Sequence, residues 1–190
     1  MRWIYELYFP VVWTAYLVYW QIAAAGAKAN QRIESVASRI FRTVLLLAGI
    51  LLMSWPGIPG AWLHRHVIAQ GVGGFWLGAA ITLAGLLFCV WARVTLGANW
   101  SRSVTIKQGH ELITAGPYRR VRHPIYTGLL TAFLGTAFAL GEVRGIVAFV
   151  LIFFSLWYKL RLEEQFMRTQ FGQTYADYSR HTAALIPWVL

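Results

Sequence analysis

The sequence predicts an all-α integral membrane protein of about five transmembrane helices, and three observations carry that expectation. Of its 190 residues 58% are hydrophobic and only 13% charged, with a mean hydropathy of +0.53, more apolar surface than a water-exposed domain of this size can hide. The apolar residues gather into five runs, and a bilayer core is crossed by about 20 helical residues, fewer where the ends are anchored. The cations are sorted by side: with five spans, all of the 17 Lys and Arg except Arg2, Arg65 and Arg144 fall on one face. By the positive-inside rule that face is cytoplasmic, with the amino terminus outside, and it favours anionic headgroups. A nucleic-acid patch would account for the net charge of +10 but not for this sorting.

The first span, Ile4 to Ala25, ends in Ala23-Ala24-Ala25-Gly26-Ala27, which has the form of a signal-peptidase site; the stretch lacks a basic leader region and is rich in aromatics, so it reads as a helix that stays. The second, Ile40 to Trp55, is punctuated by Pro56, Gly57, Pro59 and Gly60 and opens an outer loop with a short amphipathic helix, up to Gly73. His64 and His66 lie there without a carboxylate close in sequence and read as solvated loop residues rather than metal ligands. The third, Gly74 to Leu96, has Gly74 and Gly78 four apart and Gly85 two turns on, the pattern of close helix packing. It also holds the single Cys89, so no internal disulfide is available.

The fourth and fifth spans, Ile125 to Leu140 and Gly145 to Tyr158, are short, and Gly141-Glu142 leaves room only for a tight hairpin. Beyond Tyr158 the helix carries Phe166, Met167, Gln170 and Phe171 until Gly172 stops it; Tyr175, Tyr178 and Leu185-Ile186-Pro187-Trp188 follow, an amphipathic segment lying back on the membrane face where it can lid a site. Trp3, Trp20, Trp55, Trp62, Trp76, Trp100 and Trp157 fall near span ends and mark depth. There is no repeat and no linker, so residues 1–190 form one domain: three spans in 1–96, then 97–190 with a long polar loop, two short spans and the terminal helix.

Chemistry is expected where a basic insert, Gly116 to Gly128, interrupts the apolar chain. The loop from 97 to 124 is long and polar, with an alternating segment around Val104 that suggests extended backbone. Pro124 pushes His123 out of helical geometry and suits the first turn of the fourth span, whose N–H groups can hold a carboxylate or phosphate. Tyr126 lies about one turn along a similar face, and the rings of Tyr118 and Tyr126 can face a cation. Where the fifth span leaves the membrane, Lys159 and Glu163 are four apart and Arg161 and Glu164 three apart; such carboxylates are costly there unless paired or used.

Asn99-Trp100-Ser101, Gly109-His110-Glu111-Leu112-Ile113, Gly116-Pro117-Tyr118, Arg122-His123-Pro124-Ile125-Tyr126-Thr127-Gly128, Glu163-Glu164 and Phe171-Gly172-x-x-Tyr175-x-x-Tyr178 together resemble the isoprenylcysteine carboxyl methyltransferase family and its bacterial relatives, which share features with phospholipid methyltransferases. The resemblance covers roughly the carboxyl-terminal half. It implies S-adenosylmethionine as methyl donor, a lipophilic or prenylated acceptor entering from the bilayer, and, for a bacterial-type member, the inner membrane. It also implies that His110, Glu111, Leu112, Ile113, Tyr118, His123, Pro124, Ile125, Tyr126 and Glu163 line the donor, with Ser103 as a further polar contact. Eukaryotic members place an Arg four residues before the first matched Glu to hold the substrate carboxylate. This chain departs there: the position is Lys159, with Arg161 two residues later, and either cation can take the role.

A carboxylate acceptor needs no general base, so positioning and water exclusion suffice. An amine acceptor such as phosphatidylethanolamine would need one, from Glu164 or His123. Three alternatives remain: a membrane reductase of the steroid-reductase type using NADPH, kept open by Arg119, Arg120 and Arg122; a scaffold or carrier that binds no donor; and a metal site of His110, His123 and Glu163, for which no tight ligand spacing speaks.

Overall fold

The computed structural model describes residues 2–24, 34–68, 71–97 and 112–187. Five helices order them: α1 Arg2–Ala24, α2 Val36–Ser54, α3 Val72–Leu96, α4 Pro124–Leu140 and α5 Val143–His181, with short 3₁₀ turns at Ala61–His64 and Gly116–Arg119. No sheet occurs among the described residues, where the only bridges are His66 with Glu142 and Val121 with Ala183. The helices α2, α3 and α5 are long and apolar enough to cross a membrane, and α4, at 17 residues, is a shorter apolar helix. Along α2 the apolar residues Val36, Ile40, Val44, Leu47 and Leu51 are all exposed at helical spacing, a stripe that lipid rather than protein would cover.

The tightest seam joins α3 to α4, and small residues make it. A Cβ placed on Gly85 would come within 2.5 Å of Ala132 N and 2.6 Å of Gly128 O; one on Gly78 would come within 2.6 Å of Gly135 O. Backbone therefore meets backbone, with Cys89 and Thr82 filling the spaces between. Buried Thr82 donates to Gly78 O at 2.9 Å, its own i−4 carbonyl, and lies 3.1 Å from Ala132 O across the seam. Gly78 and Gly85 thus pack as their spacing suggests.

Gly141 ends α4 in left-handed geometry (φ 65°), which glycine adopts without a Cβ clash, and its N–H bonds Ala137 O at 3.0 Å. The chain turns at once into α5. Arg144, 6% exposed, then reaches the end of α2, donating to Leu52 O and Trp55 O at 3.1 Å each, and pairs with Glu142 at 2.6 Å. That carboxylate also takes His64 Nδ1 at 3.2 Å, while His64 Nε2 lies 2.9 Å from Ile58 O. The expectation of a solvated His64 is corrected: its carboxylate comes from 78 residues away, beyond what local sequence discloses. Burial alone would raise the Glu142 carboxyl pKa, but Arg144 and His64 bring it below the ordinary value.

Between α2 and α5 the approach is again close, since a Cβ on Gly49 would meet Ile152 Cγ1 at 2.6 Å, and Ser155 Oγ donates to Arg42 O at 2.7 Å. Gly172 stops the helix as expected: its non-helical geometry (φ 51°, ψ −122°) kinks the chain, and a second helical stretch runs on from there to His181.

On the other side of the molecule α1 leans on α3 and α4 through Tyr8 OH to Ala79 O at 2.9 Å and Trp13 Nε1 to Thr136 Oγ1 at 3.2 Å. It shares no extensive packing with α2 among the described residues; both helices line a cavity instead.

Candidate active site

The cavity has a volume of about 810 Å³ and is lined by all five helices. From Glu6 to Trp20 it follows α1 for roughly 20 Å at 1.5 Å per residue. Its long wall is apolar and aromatic, with Phe9, Trp13, Leu46, Ile50, Leu129 and Phe133. One end is polar: Arg42, Tyr118, His123, Tyr126, Lys159 and Glu163 meet there. An apolar slot with a few convergent polar groups at one end is the usual form of a small-molecule site.

Local rules place the polar end. Before Pro124, His123 takes φ −123° and ψ 59°, outside helical geometry, so its ring projects from the mouth of α4. Three residues on, Tyr126 stacks parallel to it, with ring centroids 5.5 Å apart. Glu163 closes the group, accepting from Tyr126 OH at 2.6 Å, with His123 Nδ1 at 3.6 Å and Lys159 Nζ at 3.8 Å. Lys159 also lies 5.4 Å from the Tyr126 ring centroid. Burial would lower the His123 pKa, but the two flanking carboxylates, Glu163 and Glu164, outweigh it and raise it, favouring the imidazolium.

Neighbouring Glu164, about 100° further round α5, does something else. Its Oε1 accepts from Arg122 Nε at 2.7 Å, Tyr175 OH at 2.9 Å and His123 Nε2 at 3.0 Å. Arg122 Nη1 donates to the carbonyls of Ser179 and Thr182. The segment after α5 then runs beside the entry to α4: Arg122 N–H bonds Ala183 O at 2.8 Å, His123 N–H bonds Ala184 O at 3.1 Å, and Thr127 Oγ1 donates to Leu185 O at 2.7 Å. Tyr178 OH adds a bond to Tyr118 O at 2.6 Å. This clasp takes the N–H groups of Arg122 and His123, just ahead of α4.

Of the sequence candidates, Leu112, Ile113, Tyr118, His123, Ile125, Tyr126, Lys159 and Glu163 line the cavity. Pro124 is buried as a helix starter and does not line it. The pair expected between Arg161 and Glu164 does not form: Arg161 is exposed with its guanidinium 6.0 Å from the Trp157 ring, away from the cavity, and Glu164 is taken up by the clasp. The reason is angular, since 159 and 163 share a helix face that 161 opposes. Ser103, His110 and Glu111 lie outside the described residues, as does the extended segment around Val104. Sequence reasoning missed Arg42, which it counted only for membrane sidedness; the available signal was a cation inside a hydrophobic span, eight residues after Glu34.

Arg119 and Arg120 line a separate surface recess with Trp91 and Pro117, not the cavity. Arg122 lines the cavity but is committed to Glu164, so the three arginines that kept a dinucleotide reductase open do not converge on the site. Among the described residues no group of three His, Cys, Asp or Glu side chains is arranged to hold a metal ion.

Residues 74–174 match the phospholipid methyltransferase family. The chain is 32% identical over 117 residues, 60% of its own length, to the "Probable protein-S-isoprenylcysteine O-methyltransferase" of Oryza sativa subsp. indica, and spans 61% of the length of that relative. It is 31% identical over 146 residues to the "Cobalt-zinc-cadmium resistance protein CzcN" of Cupriavidus metallidurans, covering 76% of this chain and 60% of that one. Among solved structures it is similar to the eukaryotic intramembrane Ras methyltransferase ICMT, with a TM-score of 0.52 and 23% identity over 81% of this chain and 50% of the other. At that identity the likeness speaks for the fold.

Proposed function

The chain belongs to the phospholipid methyltransferase family, and from that premise we propose that it transfers the methyl group of S-adenosylmethionine to a lipophilic acceptor, most simply the carboxylate of an isoprenylcysteine-like molecule. The single observation that carries the reading is the cavity's polarity: a linked Glu163, His123 and Tyr126 group at one end of a long aromatic and aliphatic slot. The donor set fits the cofactor. Glu163 supplies a carboxylate for a cationic ligand, the Tyr118 ring an aromatic wall, and Leu112 and Ile113 an apolar one.

The bound donor supplies an electrophilic methyl group on a sulfonium. The residues bind, orient and exclude water. Glu163, fixed by Tyr126 and His123, holds the cation in one register. The clasp, through Tyr175 and Tyr178, covers the polar end. The aromatic wall takes the acceptor's chain, leaving its polar head beside Glu163 and Lys159.

The family's description favours a second reading, N-methylation of a phospholipid amine. That chemistry needs a base, and both sequence candidates already have partners: Glu164 accepts from Arg122 and Tyr175, and His123 lies between Glu163 and Glu164. A carboxylate acceptor asks for no proton transfer. In the membrane we place five spans, with the amino terminus outside and the polar end cytoplasmic, supported by the segregation of Lys and Arg.

Calorimetry with S-adenosylhomocysteine in detergent tests the donor, and a lipid-extract assay with radiolabelled S-adenosylmethionine tests the acceptor. Saturable binding and a base-labile methyl ester are expected. No binding sinks the methyltransferase reading; a base-stable labelled lipid moves it to amine methylation.

A further inference from the structure

Arg42 enters the cavity from α2, outside the segment that matches the family. A cation in an otherwise apolar stretch of a spanning helix is costly unless paired. It is paired on one edge: its Nε and Nη2 meet Glu34 Oε1 and Oε2 at 2.9 and 2.7 Å, a two-point grip on a carboxylate whose side chain is 1% exposed. Glu34 is itself held by Ser38 Oγ at 3.1 Å. The other edge is open, for Nη1 makes no hydrogen bond to any described residue.

Lys159, the other cation at this end, is turned toward Glu163 and the Tyr126 ring. Lys159 and Arg42 nevertheless lie within electrostatic reach of each other and of Glu163. The polar end therefore has a cation that Glu163 has already claimed and a guanidinium that is oriented but not fully used.

Resting on the methyl-transfer reading, we infer that Arg42, aimed by Glu34, holds the anionic head group of the acceptor. Recognition of the acceptor's charge is thereby supplied by α2, while the family-matched segment supplies the donor side. Glu34 acts as a positioning residue, because it touches Arg42 and not the acceptor. A guanidinium suits the task better than Lys159 does, since its N–H groups are fixed in a plane that a carboxylate oxygen can meet directionally.

The full chain in lipid nanodiscs tests this with two probes that share a chain and differ in charge, N-acetyl-S-farnesylcysteine and the carboxylate-free N-acetyl-S-farnesylcysteamine. Arg42→Gln is expected to weaken the carboxylate probe by about tenfold or more, the effect of losing a hydrogen bond to a charged group, and to leave the neutral probe unchanged. Arg42→Lys should recover part of the affinity, and Glu34→Gln should show the same selective loss at smaller size. Equal weakening of both probes, or none, overturns the inference. S-adenosylhomocysteine binding is measured on the same samples: wild type that ignores it but discriminates the probes through Arg42 sinks methyl transfer and leaves the anion site standing.

Discussion

The α3–α4 seam and the α1–α2 side solve the same packing problem in opposite ways. In the seam, Gly78, Gly85, Gly128 and Gly135 let two backbones touch, so no space is left for a ligand. On the other side Phe9, Trp13, Tyr16 and Trp20 of α1 line a cavity that α2 also lines, with Trp13 stacked on Phe133 of α4. Without a hydrophobic drive between helices in lipid, shape decides which faces close and which stay open. A tightly packed pair thus carries His123 and Tyr126 at its end, and on the methyl-transfer reading the opposite wall is where an acceptor would enter.

The contrast breaks most severely at Gly85→Val. Its Cβ alone would meet backbone at 2.5 Å, so overpacking should cost about 3 kcal/mol or more and show as lost yield or a large fall in Tm in detergent. Val18→Ala on exposed α1 should stay within about 0.5 kcal/mol; equal losses would mean that the seam is no more rigid than the wall. The next largest effects separate two adjacent carboxylates. Glu163→Gln should weaken S-adenosylmethionine at least tenfold by calorimetry, and S-adenosylhomocysteine, which lacks the sulfonium charge, by less, with a smaller fall in Tm than Glu164→Gln gives, the loss of a charge that faces the cavity. Glu164→Gln should reverse the pattern, lowering Tm through three weakened clasp bonds, with a smaller loss of affinity. A common phenotype for the two would erase the division between cavity and clasp.

The smallest effect is one of pH. Folding raises the His123 pKa, so its protonated contacts add stability that is complete below the unfolded value of about 6.5 and is lost as pH rises through the folded value. Tm measured from pH 6 to 9 should therefore drift down by a few degrees in wild type and stay flatter in His123→Gln. Identical slopes would show that the imidazolium does not tie the seam to the clasp.

Much of this was legible in the residues. Apolar runs located the helices to within a few positions, Pro124 announced the start of α4, and i,i+4 spacing put Lys159 with Glu163. What stayed hidden depends on long-range meetings that carry no local signature. Glu142 finds His64 across 78 positions, and Thr127 finds Leu185 across 58. Helix periodicity sets Arg161 apart from Lys159, but it does not say which of the two faces turns inward. Arg42 was hidden for a simpler reason: a cation near a span end already had an explanation as a marker of sidedness.

The clasp also has a consequence for biosynthesis. Arg122 and Thr127 draw on carbonyls made about 60 residues later, so the clasp over the polar end of the cavity is not complete until residues 182–185 have emerged from the ribosome. The α3–α4 pair, whose chain is complete at Leu140, can form well before that. A nascent chain halted short of Thr182 would therefore hold the helix pair in the membrane without a finished site, and chemistry would begin only after synthesis had passed that point.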